Sequence, residues 1–227
     1  MGARFARIPK RLEFALRRWP LQSSAVLDVG CAHGHCLAHF GPGSLGIDNM
    51  EEHVDFCRAI GLEATLADAG NGLGQLPSAA FDFVWMSDIV EHLDAPRRLL
   101  RSAASALKPG GNLLLFVTVL PRSRLLRAAL RTAHVDAFDA HAHHYQFTYE
   151  TARHLLERAG LRVTSVAAPG IWLPPGLSSL VHAQVPRLFL EARPTPEAER
   201  LARDAERRNR GEDSEPRPTP EGFNIPP

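Results

Sequence analysis

Short apolar runs alternate with segments of helical period along most of the chain. The apolar runs cover residues 25–29, 44–47, 62–66, 81–86, 112–120 and 161–166, and the helical patterns cover 51–60, 95–107 and 149–159. The runs are apolar on both faces of the strands that they would form, which is typical of a parallel sheet. Alternating helices then cover both sides of such a sheet. We therefore predict an α/β, doubly wound, mostly parallel sheet with helices on both faces.

Three further segments complete the expected organisation of the chain. Residues 188–192 are predicted to form a seventh strand, at an edge of the sheet. Residues 1–22 form a basic amphipathic segment, and residues 194–227 are rich in Pro, Glu and Arg. A composition of the latter kind cannot bury enough apolar surface to fold. We predict one domain over residues 23–193, preceded by the basic segment and followed by a disordered tail.

Charge, hydropathy and cysteine content exclude several classes of protein. The 26 basic residues nearly cancel the 25 acidic ones, so no affinity for nucleic acid is expected. The longest dense apolar run, 113–120, is far shorter than the roughly 18 residues that span a bilayer. The basic N-terminus lacks the apolar stretch of a signal peptide, which favours a cytosolic location. Cys31, Cys36 and Cys57 are expected to be buried, reduced thiols.

The N-terminal segment leaves two interpretations open. Leu12, Leu16 and Trp19 recur at helical spacing, whereas Arg11, Arg17 and Arg18 occupy the opposite face of the same helix. Such a helix can pack on the core as a lid, or it can lie on an acidic membrane surface. Packing on the core is the commoner arrangement and the one we favour. Peripheral membrane contact is the alternative.

Acidic residues close four of the predicted strands. They are Asp28, Asp48, Asp68 and Asp88. In an open parallel sheet, ligands bind outside the carboxyl ends of the strands, so these residues indicate a binding site. The turn after Asp28 contains Gly30 and Gly34, which allow the backbone to approach a ligand closely. We expect a helix to follow this turn and to present free N–H groups to the ligand.

A dinucleotide site is the first alternative for such a turn. Its fingerprint is G-x-G-x-x-G, with an acidic residue about 20 positions further on. Here the spacing is G-x-A-x-G, the third glycine is missing, and an aspartate stands two residues before Gly30. These features argue against a nicotinamide-dependent oxidoreductase.

The segment V-L-D-V-G-C-A-H-G (26–34) resembles the first motif of class I S-adenosylmethionine-dependent methyltransferases, with Ala32 in place of the middle glycine of that motif. Members of that family have a Rossmann-like sheet of seven strands. The segments G-I-D (46–48) and L-A-D-A (66–69) resemble the second and third motifs. The most specific block is F-D-F-V (81–84), S-D-I-V-E-H-L (87–93) and L-K-P-G-G (107–111). The resemblance runs from residue 26 to residue 166.

This resemblance implies that the cofactor is S-adenosylmethionine, and it implies a set of contacts. The residues around the glycine turn would face the methionine part, Asp48 would bind the ribose hydroxyls, and Ser87 would border the sulfonium. Asn49 or Met50 would lie against the adenine, whose polar edge Asp68 and Ala69 would bind. The turn residues concerned are Asp28, Gly30, Cys31 and Gly34.

Two histidines are candidates for a general base, which a hydroxyl acceptor requires. His92 follows Glu91 just after the fourth strand, and it could instead orient the loop or cap a helix. His144 precedes F-T (147–148) in a histidine-rich segment that includes His134 and His141. A histidine at this position is frequent in the family, which favours His144 as part of the acceptor pocket. We name both His92 and His144 as candidate catalytic residues.

Two groups of residues contain candidate metal ligands, but we do not predict a metal site. The E-H string resembles that of ubiquinone-biosynthesis O-methyltransferases, where an acid and a Glu-His pair are associated with a divalent metal. By this resemblance Asp88, Glu91 and His92 are candidate ligands. The histidines at 141–144 could also bind zinc, but they lack a cysteine pair and a known ligand spacing. A mobile loop over the substrate is the interpretation that we favour for them.

The acceptor is the least constrained part of the interpretation. We expect a small molecule, a lipid precursor or a sugar, with O-methylation preferred over N- or C-methylation. The apolar segment 169–175 could wall an apolar acceptor, or it could pack against a membrane, a partner or the sheet edge. The alternative function is a domain that binds S-adenosylmethionine without catalysis, as a regulator or assembly partner.

Overall fold

One seven-stranded sheet forms the centre of the molecule. The computed structural model describes residues 8–71, 73, 76–121, 123–125, 143–168 and 187–209. The strands are β1 (Val26–Val29), β2 (Leu45–Asp48), β3 (Ala64–Leu66), β4 (Phe81–Ser87), β5 (Leu107–Thr118), β6 (Leu161–Ala167) and β7 (Arg187–Pro194). Their order in the sheet is β3-β2-β1-β4-β5-β7-β6. Strands β1 to β5 are parallel, and β7 runs antiparallel to β5 and β6. The predicted mostly parallel α/β sheet is confirmed.

Five helices lie within the described residues. They are α1 (Lys10–Arg18), α2 (Glu51–Ala59), α3 (Pro96–Ala106), α4 (Tyr149–Arg158) and α5 (Pro196–Asn209). Helix α4 begins at a capping box, because the Thr148 hydroxyl accepts from the Thr151 N–H and the Thr151 hydroxyl accepts from the Thr148 N–H. Helix α3 has Pro96 in its first turn, where the missing N–H leaves no hydrogen bond unmade.

The central strands send alternate side chains into two cores. Val84 and Met86 of β4 face the core formed with α3 and α4, where Leu100 is fully buried. Phe83 and Trp85 of the same strand face the core formed with α1. The helices therefore cover both faces of the sheet, as predicted.

Helix α1 packs its apolar side against the sheet. Leu12 and Ala15 are fully buried, and Trp19 is almost so. The ring of Phe14 stacks on Phe189 of β7, with 5.7 Å between ring centroids. These contacts agree with the favoured interpretation of a helix on the core, and they occupy the apolar side that a membrane would need. No helix in the described part of the chain is both long and apolar enough to cross a bilayer.

The residues after the glycine turn do not form the predicted helix. A short 3₁₀ turn, Leu37–His39, is the helical element at this place. Gly41, Pro42 and Gly43 follow after Phe40, and they stop a helix before it can extend. The prediction of a helix with free N–H groups here was wrong.

Strand β7 lies inside the sheet. It pairs with β5 on one side and with β6 on the other, so the predicted edge position was wrong. The residues Leu188, Phe189 and Leu190 are all fully buried, which requires cover on both faces and neighbours on both edges. Strand β6 is the edge strand on this side of the sheet, and it exposes Arg162 and Thr164.

Helix α5 occupies part of the segment predicted to be disordered. Its N-terminus is fixed by Thr195, whose N–H donates to the Gly160 carbonyl at 2.8 Å and whose hydroxyl accepts from the Ala198 N–H at 3.3 Å. Ala198 packs so closely that a Cβ on Gly160 would lie 3.1 Å from its own Cβ. The prediction of disorder was wrong for residues 196–209, because it was made from the charged composition and could not include the contacts of Thr195 and Ala198 with Gly160. Residues 210–227 lie outside the described residues.

Candidate functional site

The carboxyl ends of four adjacent strands bring the predicted acidic residues to one edge of the sheet. Strands β3, β2, β1 and β4 are neighbours and parallel. Asp28 lies within β1, Asp48 ends β2, and Asp68 and Asp88 follow β3 and β4. Ligands of open parallel sheets bind at this edge.

The turn after β1 is tied to β2 and to the loop after β4. The N–H groups of Gly30 and Cys31 both donate to the Ile47 carbonyl, at 2.8 and 2.9 Å. Gly30 has a φ of +73°, and a Cβ there would lie 2.9 Å from Cδ1 of Ile89. Ala32 has a φ of 47°, in the left-handed region, where the resembling motif has glycine. The backbone therefore keeps a glycine-turn conformation in spite of the alanine.

The other side of the turn is packed against the core. A Cβ on Gly34 would lie 2.6 Å from Cδ1 of Leu62, and a Cβ on Gly46 would lie 2.7 Å from Sγ of Cys31. All three cysteines are buried, as predicted. Burial raises the pKa of the Cys31 thiol and raises that of Cys36 to about 12, so little reactive thiolate forms. Cys31 can therefore serve a ligand through its backbone and not through its sulfur.

The Asp48 carboxylate is anchored by three contacts. Its Oδ1 accepts from the Met50 N–H at 3.0 Å and lies 3.0 Å from Nδ1 of His53, and its Oδ2 accepts from the Ala32 N–H at 2.9 Å. Burial acts to raise the pKa of Asp48, but these bonds together hold it below its ordinary value. The His53 ring also contacts the ring of His33 in the turn, with 4.5 Å between centroids. Asp48 is thus an ionised carboxylate with a fixed orientation.

Apolar surfaces and one further carboxylate flank Asp48. Met50 and Leu66 expose 49% and 52% of their surface, and Asn49, next to Met50 in the chain, is also exposed. Asp68 accepts hydrogen bonds of 2.8 and 2.6 Å from donors in the turn Ala69–Asn71. Ala69 itself is buried.

Arg11 of α1 was predicted on the polar face of the helix, and that placement was wrong, because its Nε is buried. Asp28 is only 2% exposed, and its Oδ2 has no hydrogen-bond partner among the described residues. Burial raises the pKa of Asp28 to about 7, and the charge of Arg11 opposes this. The Nε of Arg11 is buried and likewise has no partner in the described part of the chain. Its spacing of four from the buried Ala15 was the signal that could have placed it beside the core.

The loop after β4 carries a second group of polar side chains. The Ser87 hydroxyl donates to Oδ2 of Asp88 at 3.2 Å. Glu91 is 2% exposed, and neither of its carboxylate oxygens has a hydrogen-bond partner within the described ranges. Ligand atoms of Glu91, His92 and His143 all lie within 4.8 Å of one another. A buried carboxylate without a partner fits a divalent cation at this place, although Asp88 is not in the group.

His144, the second candidate base, lies beside the same loop. Its Nδ1 is 3.0 Å from Oδ1 of Asp94, and its N–H donates to the Glu91 carbonyl at 2.8 Å. The structure therefore brings the two candidate bases, His92 and His144, to the same turn. His134, His141 and the apolar segment 169–175 lie outside the described residues.

Two larger grooves of the described surface lie away from the carboxyl ends of β1 to β4. One of about 490 Å³ runs between α3, α4 and α5, and one of about 620 Å³ lies beside the start of α3. Neither is lined by a predicted cofactor-binding residue. The position of the site therefore rests on strand ends, hydrogen bonds and charge, and not on cavity size.

Comparison with known proteins identifies the family. A family model described as a methyltransferase domain matches residues 2–166 of the chain. The chain belongs to the class I S-adenosylmethionine-dependent methyltransferases. The ubiquinone biosynthesis O-methyltransferase of Xanthomonas euvesicatoria pv. vesicatoria (strain 85-10) is 31% identical over 175 residues, which are 70% of this chain and 71% of the relative. That of Xanthomonas oryzae pv. oryzae (strain PXO99A) is 33% identical over 115 residues.

The methyltransferase relatives differ in how much of their length is matched. The Xanthomonas oryzae alignment covers 47% of this chain and 48% of the relative, so the match spans about half of that protein. Two solved methyltransferases share the fold. The enzyme of Archaeoglobus fulgidus has a TM-score of 0.56 and 21% identity, over 81% of this chain and 94% of its own. The S-adenosylmethionine-dependent enzyme of Mesorhizobium loti has a TM-score of 0.55 and 20% identity, over 80% and 95%.

Proposed function

We propose that this methyltransferase transfers the methyl group of S-adenosylmethionine to an oxygen of a small organic acceptor. The observation that carries the proposal is the anchored Asp48 carboxylate at the end of β2, next to the left-handed turn at Ala32. A fixed carboxylate can accept hydrogen bonds from two vicinal hydroxyl groups without reorganising. The ribose of the cofactor carries such a pair.

The family resemblance assigns the remaining cofactor contacts to the same edge. Asn49 or Met50 would lie against the adenine, to which the exposed Leu66 also offers apolar surface, and Asp68 and Ala69 would bind its polar edge. Gly30, Cys31 and Gly34 allow the backbone to approach the methionine part. Ser87, at the end of β4, would border the sulfonium.

Opposite charges at the end of β1 suit the amino-acid end of the cofactor. The Asp28 carboxylate suits the ammonium group, and the Arg11 guanidinium suits the carboxylate. The buried oxygen of Asp28 and the buried Nε of Arg11 are both without partners among the described atoms, and this supports such a role. Helix α1 would thus contribute to the cofactor site as well as to the core.

Bound S-adenosylmethionine supplies a methyl group on a positively charged sulfur, which is a good leaving group. The protein must then align an acceptor and take its proton. Asp94 can orient the His144 ring through Nδ1, which leaves Nε2 to accept the proton of a hydroxyl. His92 is the other candidate base.

The acceptor class rests on the relatives and not on a described pocket. Relatives named ubiquinone biosynthesis O-methyltransferase favour oxygen as the acceptor atom. The methoxy groups of ubiquinone are carried by its ring, so ring hydroxyls of small or lipid-like phenols are the first acceptors to test. A sugar hydroxyl is the next class, and a nitrogen or carbon acceptor would correct the proposal.

Calorimetric titration with S-adenosylmethionine and S-adenosylhomocysteine tests the cofactor site. We expect micromolar binding, a loss of at least tenfold in Asp48→Ala, and no change in Asp55→Ala, an exposed carboxylate on α2. A nicotinamide dinucleotide serves as the negative control. Failure of the wild-type chain to bind either compound would contradict the proposal.

A second experiment tests catalysis. Release of S-adenosylhomocysteine is followed with catechols, simple phenols, sugars and amines as acceptors. We expect turnover with a phenolic hydroxyl, and we expect His144→Gln to slow that turnover by about a hundredfold or more while its affinity for the cofactor is unchanged. Cofactor binding with no turnover on any acceptor would favour the non-catalytic alternative.

A further inference from the structure

A buried carboxylate and two imidazoles meet where the loop after β4 contacts the residues before α4. One ligand atom from each of Glu91, His92 and His143 lies within 4.8 Å of the others. The rings of His92 and His143 are in edge contact, with 4.8 Å between centroids. Glu91 and His143 also line a cavity of about 10 Å³, which has room for a single water or ion.

The Glu91 side chain is the strongest sign of a ligand. It is 2% exposed, and neither oxygen has a hydrogen-bond partner within the described ranges. An ionised carboxylate in such a place needs a compensating positive charge. A cation held jointly with two imidazoles supplies it.

The backbone holds the two segments together without any ion. The N–H groups of His144 and Tyr145 both donate to the Glu91 carbonyl, at 2.8 and 3.2 Å. The Tyr145 hydroxyl donates to the Asp94 carbonyl at 3.0 Å. These bonds fix His143 against the loop, so the three side chains are brought together before any ligand binds.

This group of three possible metal ligands differs from the group that the family resemblance implies. That set is Asp88, Glu91 and His92, all from one loop. Asp88 has a φ of 53°, its Oδ2 accepts from the Ser87 hydroxyl, and it is not in the group. His143 takes its place, from a segment that follows in the sequence by some 50 residues.

We propose that Glu91, His92 and His143 form a binding site for one divalent transition-metal ion of the zinc type. Two imidazoles and one carboxylate are ligands that zinc and cobalt accept, whereas magnesium prefers oxygen ligands throughout. Three protein ligands leave further coordination positions open, as in catalytic metal sites. His92 is then a ligand, and His144 is the remaining candidate base. The proposal concerns metal binding alone and does not depend on methyl transfer.

Metal titration of the full chain tests the site directly. The tag-free protein is stripped with a chelator and titrated with Zn²⁺, Co²⁺ and Mg²⁺ by calorimetry, and the visible spectrum of the Co²⁺ form is recorded. We expect one equivalent of Zn²⁺ or Co²⁺ to bind, with cobalt d–d bands typical of nitrogen and oxygen ligands. Mg²⁺ is expected to bind at least 100-fold more weakly.

Matched variants identify the ligands. His143→Ala is expected to weaken Co²⁺ binding by at least tenfold and to change the spectrum, whereas His144→Ala, the neighbouring histidine, leaves both unchanged. Asp88→Asn is also expected to leave both unchanged. Glu91→Gln removes the buried charge and keeps the shape, so it should lose metal while its Tm without metal stays equal or rises.

The opposite results would overturn the proposal. They are binding abolished by Asp88→Asn and retained by His143→Ala, tighter binding of Mg²⁺ than of Zn²⁺, or no stoichiometric binding by a folded wild-type chain. Thermal unfolding of each variant separates loss of the ion from loss of the fold. Cofactor titration of the same samples keeps a failure of this proposal distinct from a failure of the proposed function.

Discussion

Ala32 adopts a backbone conformation that glycine tolerates and alanine does not favour. Its φ of 47° costs an L-residue about 1 to 2 kcal/mol, while glycine adds about 0.4 to 1 kcal/mol of entropy to the unfolded chain. We therefore expect Ala32→Gly to raise the free energy of unfolding by about 0.5 to 1 kcal/mol, measured in urea. The Ala32 N–H bond to Asp48 is retained, so affinity for S-adenosylhomocysteine should change less than about threefold.

Ala79 provides the matched control for this prediction. It has a φ of 49° and is exposed, far along the chain from the turn. Ala79→Gly should stabilise the protein to a similar extent. A loss of stability in Ala32→Gly beside a gain in Ala79→Gly would contradict the strain argument and would show that the Ala32 methyl group contributes packing.

His53 positions the Asp48 carboxylate. Its ring nitrogen lies 3.0 Å from Oδ1 of Asp48, and one hydrogen bond of this kind contributes about 0.5 to 1.5 kcal/mol. We expect His53→Ala to weaken binding of S-adenosylhomocysteine by about two- to tenfold, measured by calorimetry. The loss of affinity caused by His53→Ala should be smaller for the 2′-deoxy analogue of S-adenosylhomocysteine, because His53 acts on binding through the contact of Asp48 with the ribose hydroxyls. His154→Ala, on the exposed face of α4, is the control, and a gain in affinity in His53→Ala would indicate that His53 competes with the cofactor.

Elements with a strong apolar pattern were predictable from sequence, and those decided by tertiary contacts were not. Strands β1, β4 and β5 follow apolar runs that are buried on both faces of the sheet. A 3₁₀ turn forms where a helix was expected after the glycine turn. Gly41, Pro42 and Gly43 stop helical structure there before a full helix can form. Helix α5 was missed because its composition is charged, while its place is set by contacts with Gly160.

Truncation tests the contribution of α5 to stability. Removal of the chain after Arg193 deletes the Thr195 bond to the Gly160 carbonyl and the packing of Ala198. We expect the melting temperature to fall by several degrees, since about 1 kcal/mol shifts a chain of this size by about 2 to 4 °C. Truncation after Asn209 retains the helix, and it tests the prediction that residues 210–227 add no stability. An unchanged melting temperature in the shorter chain would show that α5 is only loosely attached.

At the scale of the whole molecule, the edge of the sheet that carries the four acidic residues was predictable, and the histidine cluster was not. The carboxyl ends of parallel strands lie at the same edge of a sheet, whatever the conformation of the loops that follow. The topology alone therefore places Asp28, Asp48, Asp68 and Asp88 at one edge. His143 meets Glu91 through backbone hydrogen bonds between segments that are distant in sequence. No local pattern encodes such bonds, and the sequence therefore favoured Asp88 as a neighbour of Glu91 and His92.

The buried Asp28 carboxyl makes the stability of the whole molecule depend on pH. Its pKa is raised from 3.8 to about 7 by burial, so the folded chain holds a proton there that the unfolded chain loses above pH 4. This contribution to stability is therefore complete below pH 4, falls as pH rises from 4 to 7, and is constant above 7. Asp48 and Asp82, whose pKa values are lowered, act in the opposite direction.

A comparison of the wild-type chain with Asp28→Asn isolates this effect from the other carboxyls. A tenfold change in proton affinity corresponds to about 1.4 kcal/mol, and the variant also loses the partial compensation by Arg11. We expect the two proteins to be equally stable near pH 4, and the variant to be more stable by about 1 to 3 kcal/mol at pH 8, measured by urea unfolding at each pH. A difference that stays constant from pH 4 to pH 8 would show that Asp28 is ionised in the folded chain throughout this range. The Arg11 guanidinium would then be its full counter-ion, and Arg11→Met should destabilise the protein at pH 8 and not at pH 4.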